Sequence, residues 1–219
     1  MQKKINLNFT FTLRDVVLVL VGIFIMALGS ALSYKADIGT SSIGTMVDGL
    51  HNLLNISHGM ADILICLILM IPMLFMARDL VGIGTLISVF GIGLFIDMWK
   101  PIIELLPIGN SWPIRIALSL AGLVISSFGT SIYVTTGAGI SSFDAMIMLS
   151  YRLTGFSYSH ASIVANYAML AIGWLIGGTV GFGTLFTILI GGYVSGFFMN
   201  RIWKYINKPS PLKRSSNEE

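Results

Sequence analysis

The sequence predicts an all-α polytopic helical membrane protein built from two tandem repeats, and three observations carry that reading. Of the 219 residues 55% are hydrophobic and 11% charged, where a soluble domain carries about a quarter charged residues. The segments Val16–Tyr34, Ile63–Ala77, Leu80–Ile96, Ile116–Thr136 and Ala161–Asn200 contain no Lys, Arg, Asp or Glu. About 20 apolar residues cross the hydrocarbon core as a helix, so Ala161–Asn200 has room for two crossings around Gly177-Gly178. The third observation is repetition. Residues 22–61 align with 122–161 at an offset of 100, and ten of the forty pairs are identical, among them Gly22/Gly122, Gly29/Gly129, Gly39/Gly139, Ser41/Ser141 and Ser42/Ser142. At offset 99, Val81-Gly82-Ile83-Gly84-Thr85-Leu86 matches Val180-Gly181-Phe182-Gly183-Thr184-Leu185. Internal duplication on an apolar chain is a mark of secondary transporters.

Each repeat has the same order of elements. A cytoplasmic N-terminal segment, 1–13, precedes repeat one at 14–100; a connecting loop, 101–113, leads to repeat two at 114–204; a disordered cytoplasmic tail, 205–219, follows. Repeat one reads as a span over 15–35, a small-residue break over 36–40, a shorter helix over 41–54, then spans over 59–77 and 82–99. In repeat two these are 114–135, 136–140, 141–154, 160–176 and 181–203. Pro101, Pro107, Gly109, Asn110 and Pro113 mark the connector as a loop. The many glycines fit close helix packing in lipid. No period-2 alternation supports a β-barrel. Lys3-Lys4 before an apolar run resembles a signal peptide, but Gly22–Ser42 recurs in the second half and so belongs to the fold.

The short helices decide the topology. Ser41–Leu54 carries Asp48, His51 and Asn52, and Ser141–Thr154 carries Asp144 and Arg152; facing lipid such groups are costly. If these helices only dip into the membrane, the chain has six full spans plus two half-helices and the repeats are inverted. Lys plus Arg then count 10 inside and 3 outside. If they cross, eight spans result, 4+4 and parallel, with a count of 11 to 2. The shortness and polarity of these helices favour the six-span arrangement. Either way both termini read as cytoplasmic.

The candidate substrate site is the pair of breaks, Asp37-Ile38-Gly39-Thr40-Ser41-Ser42 and Gly137-Ala138-Gly139-Ile140-Ser141-Ser142. Each couples a glycine to two serines where a helix begins. Serine is a preferred N-cap, and a helix start favours anions. Gly39, Ser41, Ser42, Gly139, Ser141, Ser142, Asp144 and the in-span polar Asn166 are therefore the expected substrate-binding residues. Asp48 and Asp144 are the candidates for proton coupling. Asp48 with His51 (i, i+3) and His58 with Asp62 (i, i+4) could pair, but no metal-ligand spacing supports a metal site. Asp97 beside Lys100 reads as a surface carboxylate, and Cys66 as a small buried residue. The Gly82-Ile83-Gly84-Thr85 turns lack the Lys-Ser/Thr of a phosphate loop. Nothing supports an enzyme, a cofactor or nucleic-acid binding.

The run from Gly22 through Gly39, Ser41-Ser42, Asp48-Gly49-Leu50, Ile56-Ser57-His58-Gly59 and Gly82-Ile83-Gly84-Thr85 to Gly93 and Ile96-Asp97 resembles the YczE/YitT-like bacterial integral membrane proteins. Such proteins often have Pro after the first Ser of the break, where this chain has Ser42 and Ser142. The resemblance covers about residues 14–204 and implies a bacterial plasma-membrane protein of transport type, with no substrate attached. The expected function is thus a small-molecule secondary transporter or exporter embedded in the lipid bilayer. Its substrate, anionic or zwitterionic, would sit between the repeats. A membrane subunit of an ATP-driven transporter and a non-transporting scaffold are the alternatives, and a homodimer is compatible with all three.

Overall fold

The computed structural model describes residues 13–76, 83–107, 109, 111–136, 141–143, 145–147, 149 and 158–206. The N-terminal segment up to residue 12, Gly82, Gly139, Asp144, Arg152 and the tail from residue 207 lie outside the described residues. Every regular element among the described residues is helical: α1 Leu13–Ala36, α2 Ser42–Leu54, α3 His58–Met76, α4 Ile83–Glu104, α5 Trp112–Thr135, α6 Tyr158–Leu175 and α7 Phe182–Ile206. A further helical stretch starts at Ser141, whose carbonyl accepts from Ala145 N at 2.9 Å.

Among the described residues, five helices are long and apolar enough to cross a bilayer: Leu13–Ala36, His58–Met76, Gly84–Glu104, Trp112–Thr135 and Phe182–Ile202; α6 contributes a shorter apolar stretch, Ser162–Leu175. Six full spans were expected. The sixth, α6, ends at Leu175, one residue before the expected 176, where Gly177 turns the chain at φ 96°, a conformation glycine adopts at little cost. The connector also begins later than 101, since α4 runs through Pro101 to Glu104. Leu105 N still bonds Pro101 O at 3.1 Å, so the proline removes one donor without ending the helix.

The exterior is apolar and the interior holds the small polar groups. Phe75, Leu94 and Leu175 are exposed while Thr45, Thr85, Ser88, Ser131 and Ser142 are buried. That arrangement suits lipid, because hydroxyls in helices satisfy themselves within the bundle. The chain is a helical membrane protein.

Glycines set how the helices cross. A Cβ at Gly22 of α1 would stand 2.9 Å from Gly129 O of α5, and a Cβ at Gly122 of α5 would stand 2.7 Å from Gly29 O of α1. The first pair lies early in α1 and late in α5, the second late in α1 and early in α5, so the two helices run antiparallel. On α5, Leu123 lies against Gly191 of α7, and farther along Ser131 Oγ donates to Ser195 O at 3.2 Å; these two helices run parallel. Gly59 and Gly93 bring α3 against α4, and Cys66 and Met70 meet Val89 farther along α3 and earlier on α4, an antiparallel hairpin.

The ends of the helices gather in one place. Tyr34, near the end of α1, stacks on His58 at the start of α3, with centroids 4.4 Å apart. His58 in turn meets Lys100 near the end of α4. α2 therefore leaves and returns to the same end of the bundle. Both its termini touch the turn between α6 and α7: Gly39 packs on Gly181, and Asn52 Nδ2 donates to Gly177 O at 2.9 Å.

Replacing Gly29 by Leu forces α1 and α5 apart and costs about 3 kcal/mol. Gly192, where an added Cβ would have nothing within 4 Å, tolerates Ala. Thermal midpoints and monodisperse yield in detergent should separate the two variants; equal behaviour would mean that the glycine crossing does not hold the bundle.

Candidate functional site

The first break is built by a clamp from another helix. Arg115, one turn into α5, donates from Nε to Ala36 O at 2.8 Å and from Nη2 to Asp37 O at 3.0 Å and Asp37 Oδ2 at 2.5 Å. A guanidinium thus caps the free carbonyls at the end of α1, where a cation is favoured. The chain then turns at Asp37 (φ 49°) and Gly39 (φ 93°), and Gly183 N donates to Ile38 O at 2.8 Å. A side chain at Gly39 would meet Gly181 N at 2.6 Å, so only glycine fits both the φ and the approach. Ser41 is the N-cap of α2, its side chain accepting from Gly44 N at 3.2 Å.

This start opens onto a cavity of about 230 Å³ between α1, α2, α5 and α7. Its walls carry the hydroxyls of Ser30, Ser33, Thr40, Ser41, Ser126, Ser127, Thr130, Thr187 and Ser195, together with Tyr34, Met26, Leu123, Gly44 and Gly191. No Asp, Glu, Lys, Arg or His lines it among the described residues. Four of the positions matching this lining in the other half are filled instead. Ile23, Ile92, Ile96 and Tyr133 form a buried apolar cluster with Val19 and Ala27; by the offsets of 100 and 99 they correspond to Leu123, Gly191, Ser195 and Ser33.

Of the residues expected to hold substrate, Ser41 lines the cavity and Gly39 lies two residues before it, in the turn. Ser42 is buried beside it without lining it. Ser141 and Ser142 do not line it; Ser142 Oγ is buried with no hydrogen-bond partner among the described residues. Asn166 donates to Ser162 O at 2.9 Å on its own helix. Gly139 and Asp144 lie outside the described residues. The sequence reading did not pick out Arg115, nor the α7 wall of Thr187, Gly191 and Ser195. Their i, i+4, i+8 spacing in a charge-free run is the signal that would have found the wall.

The charged groups collect elsewhere. Asp48 takes Thr179 N at 2.8 Å through Oδ2, while its Oδ1 lies 3.2 Å from His58 Nε2. Lys100 Nζ approaches His58 Nδ1 at 2.7 Å and Glu104 at 3.8 Å. The rings of His51 and His58 stack at 3.8 Å, and His51 Nδ1 bonds Ile56 O. Asp48 therefore pairs with His58 and not with His51, because α2 and α3 fold back and bring the two together. Asp97 is no lone surface carboxylate balancing Lys100. It caps the start of α3, taking Gly59 N at 2.8 Å and Ser57 Oγ at 2.5 Å. Among the described residues, no three His, Cys, Asp or Glu side chains gather to hold a metal.

Comparison with known proteins gives a family and no activity. The family described as "Family of unknown function (DUF6198)" matches residues 13–200. "Uncharacterized protein YyaS" of Bacillus subtilis is 29% identical over 181 residues, covering 82% of this chain and 89% of the relative. "Uncharacterized membrane protein YczE" of Bacillus subtilis is 26% identical over 208 residues, covering 94% and 92%. An "Uncharacterized protein" of Haemophilus influenzae is 25% identical over 196 residues, covering 89% and 87%. No solved structure matches. The likeness to YczE read from the sequence is thus found across nearly the full length of both chains.

Asp48→Ala leaves Thr179 N and His58 without their acceptor and should cost about 1–3 kcal/mol of stability. Asp48→Asn keeps an acceptor for the Thr179 amide and should cost less. Thermal melts of the two proteins in detergent rank them; an Ala variant as stable as the parent would remove Asp48 from the scaffold.

Proposed function

We propose that this chain, which belongs to the family of unknown function DUF6198, is a small-molecule secondary transporter of the bacterial plasma membrane. Its two repeats are inverted, with six spans, two short non-crossing helices and both termini cytoplasmic. Substrate binds in the hydroxyl-lined cavity, and access alternates as one repeat rocks against the other.

The observation that carries this reading is the one-sided cavity. Space exists between α1, α5 and α7, whereas the matching region between α1, α4 and α5 is closed by Ile23, Ile92, Ile96 and Tyr133. In an inverted repeat such a pair of sites faces opposite sides of the membrane, and one open with the other shut is what alternating access requires. The inversion itself is supported by the antiparallel crossing in which Gly22 meets Gly129 and Gly29 meets Gly122. Under the offset of 100 each of these contacts is the image of the other. An eight-span arrangement would need α1 and α5 parallel, and would place the two ends of α2 on opposite faces. A scaffold packed shut at the level of Ser41 is disfavoured by the cavity.

The reading is tested by thiol labelling in a Cys66→Ser background. Asp37→Cys and Asn52→Cys should react with an impermeant maleimide from the same face of the membrane. Ser195→Cys should be reached from one face and Ile96→Cys, more slowly, from the other. Labelling of Asp37→Cys and Asn52→Cys from opposite faces defeats the topology. An Ile96→Cys protein inert from both faces defeats alternating access.

A further inference from the structure

The cavity differs from the anion seat that a helix start would suggest. A hydroxyl has one proton to give and two lone pairs to receive with. In this wall most of these protons are already committed to main-chain carbonyls. Ser30 donates to Met26 O at 3.1 Å, Ser33 to Gly29 O at 3.1 Å and Ser126 to Met26 O at 3.3 Å. Thr130 donates to Ser126 O at 2.8 Å, Thr187 to Gly183 O at 2.9 Å and Thr40 to Ser41 O at 3.4 Å. Six of the nine lining Ser and Thr side chains therefore turn oxygen acceptors towards the space. The start of α2 is no better supplied with donors, because Gly44 N is taken by Ser41 Oγ and Thr45 N by Ser41 O.

We infer that the solute bound here is small and rich in N–H or O–H donors, uncharged or cationic, and not an anion. This deepens the transport reading above and rests on it. An anion entering this space would lose its water and find no cation among the described residues, with only the hydroxyls of Ser41, Ser127, Ser195 and Tyr34 left to donate, which is a costly burial. A donor-rich solute would complete the acceptors that face this space. Asp97, Glu104 and Lys100 line a different space, and among the described residues no Asp, Glu, Lys, Arg or His lines this one.

Three malonyl compounds separate the alternatives: malonamide, with four N–H donors; malonate, of the same heavy-atom count but anionic; and dimethyl malonate, uncharged and without donors. Each is added at 100 mM to the purified protein in detergent, and the thermal midpoint is compared with that of Gly191→Leu. Position 191 has room for a side chain, since a Cβ there would lie 3.4 Å from its nearest neighbour, Leu123 Cδ1. Ser195→Leu serves as a second filled variant should the first not fold. Malonamide should raise the midpoint by about 2–4 °C in the parent and by nothing in the filled variant; the other two should do neither. If malonate or dimethyl malonate stabilises the parent as well as malonamide does, and filling the cavity abolishes it, the cavity binds ligands but the donor-rich class is wrong. If no compound stabilises the parent, or stabilisation survives filling, the cavity is no binding site and the reading of it falls too.

Discussion

The bundle depends on two helices that approach as closely as their backbones allow. α1 and α5 cross where Gly22 faces Gly129 and Gly29 faces Gly122, with main-chain atoms where side chains would stand. In lipid there is little hydrophobic gain from bringing helices together, so dispersion contacts and polar closures must do it. Glycine supplies the first by removing Cβ. Ser126 supplies one of the second, donating across the interface to Met26 O at 3.3 Å. Everything else is arranged around that pair: α4 lies along α1, α7 along α5, and the break after Ala36 is held by Arg115 from the opposite helix.

Two kinds of polar chemistry are kept apart in this small chain. Ionisable groups at the gathered helix ends hold α2, α3, α4 and the turn at Thr179 to one another. Hydroxyls line the cavity between α1, α5 and α7, with no Asp, Glu, Lys, Arg or His among its described lining residues. Burying a charge demands a partner, whereas a hydroxyl in a helix can satisfy itself on the carbonyl four residues back. Charge can therefore serve as a tie at the ends, and hydroxyls can face an open space inside.

Much of the fold was legible because the hydrocarbon core leaves few options. Charge-free runs located α1, α3, α4, α5 and α7 to within a few residues, and the Gly39–Ser41 break was visible as glycine followed by an N-cap. What pattern could not supply was which side chains from distant segments meet. Asp48 lies ten residues from His58, but Lys100 lies 42 residues from it and Arg115 lies 78 from Asp37; no local periodicity encodes those distances. The cavity wall was overlooked for a related reason. Thr187 and Ser195 sit in a hydrophobic run where hydroxyls read as ordinary small packing residues, and only the neighbouring Gly191 gives them an opening. Pro101 misled in the other direction, since a proline near the end of a helix loses a single bond and need not stop it.

The length of the central pair imposes a lean on the molecule. At about 1.5 Å per residue, the 24 residues of α1 and of α5 extend about 36 Å. A hydrocarbon layer about 30 Å thick is overspanned by both, so they must tilt or the lipid beside them must thicken. Because their glycines lock them together, they lean as one unit, and acyl composition would influence how far.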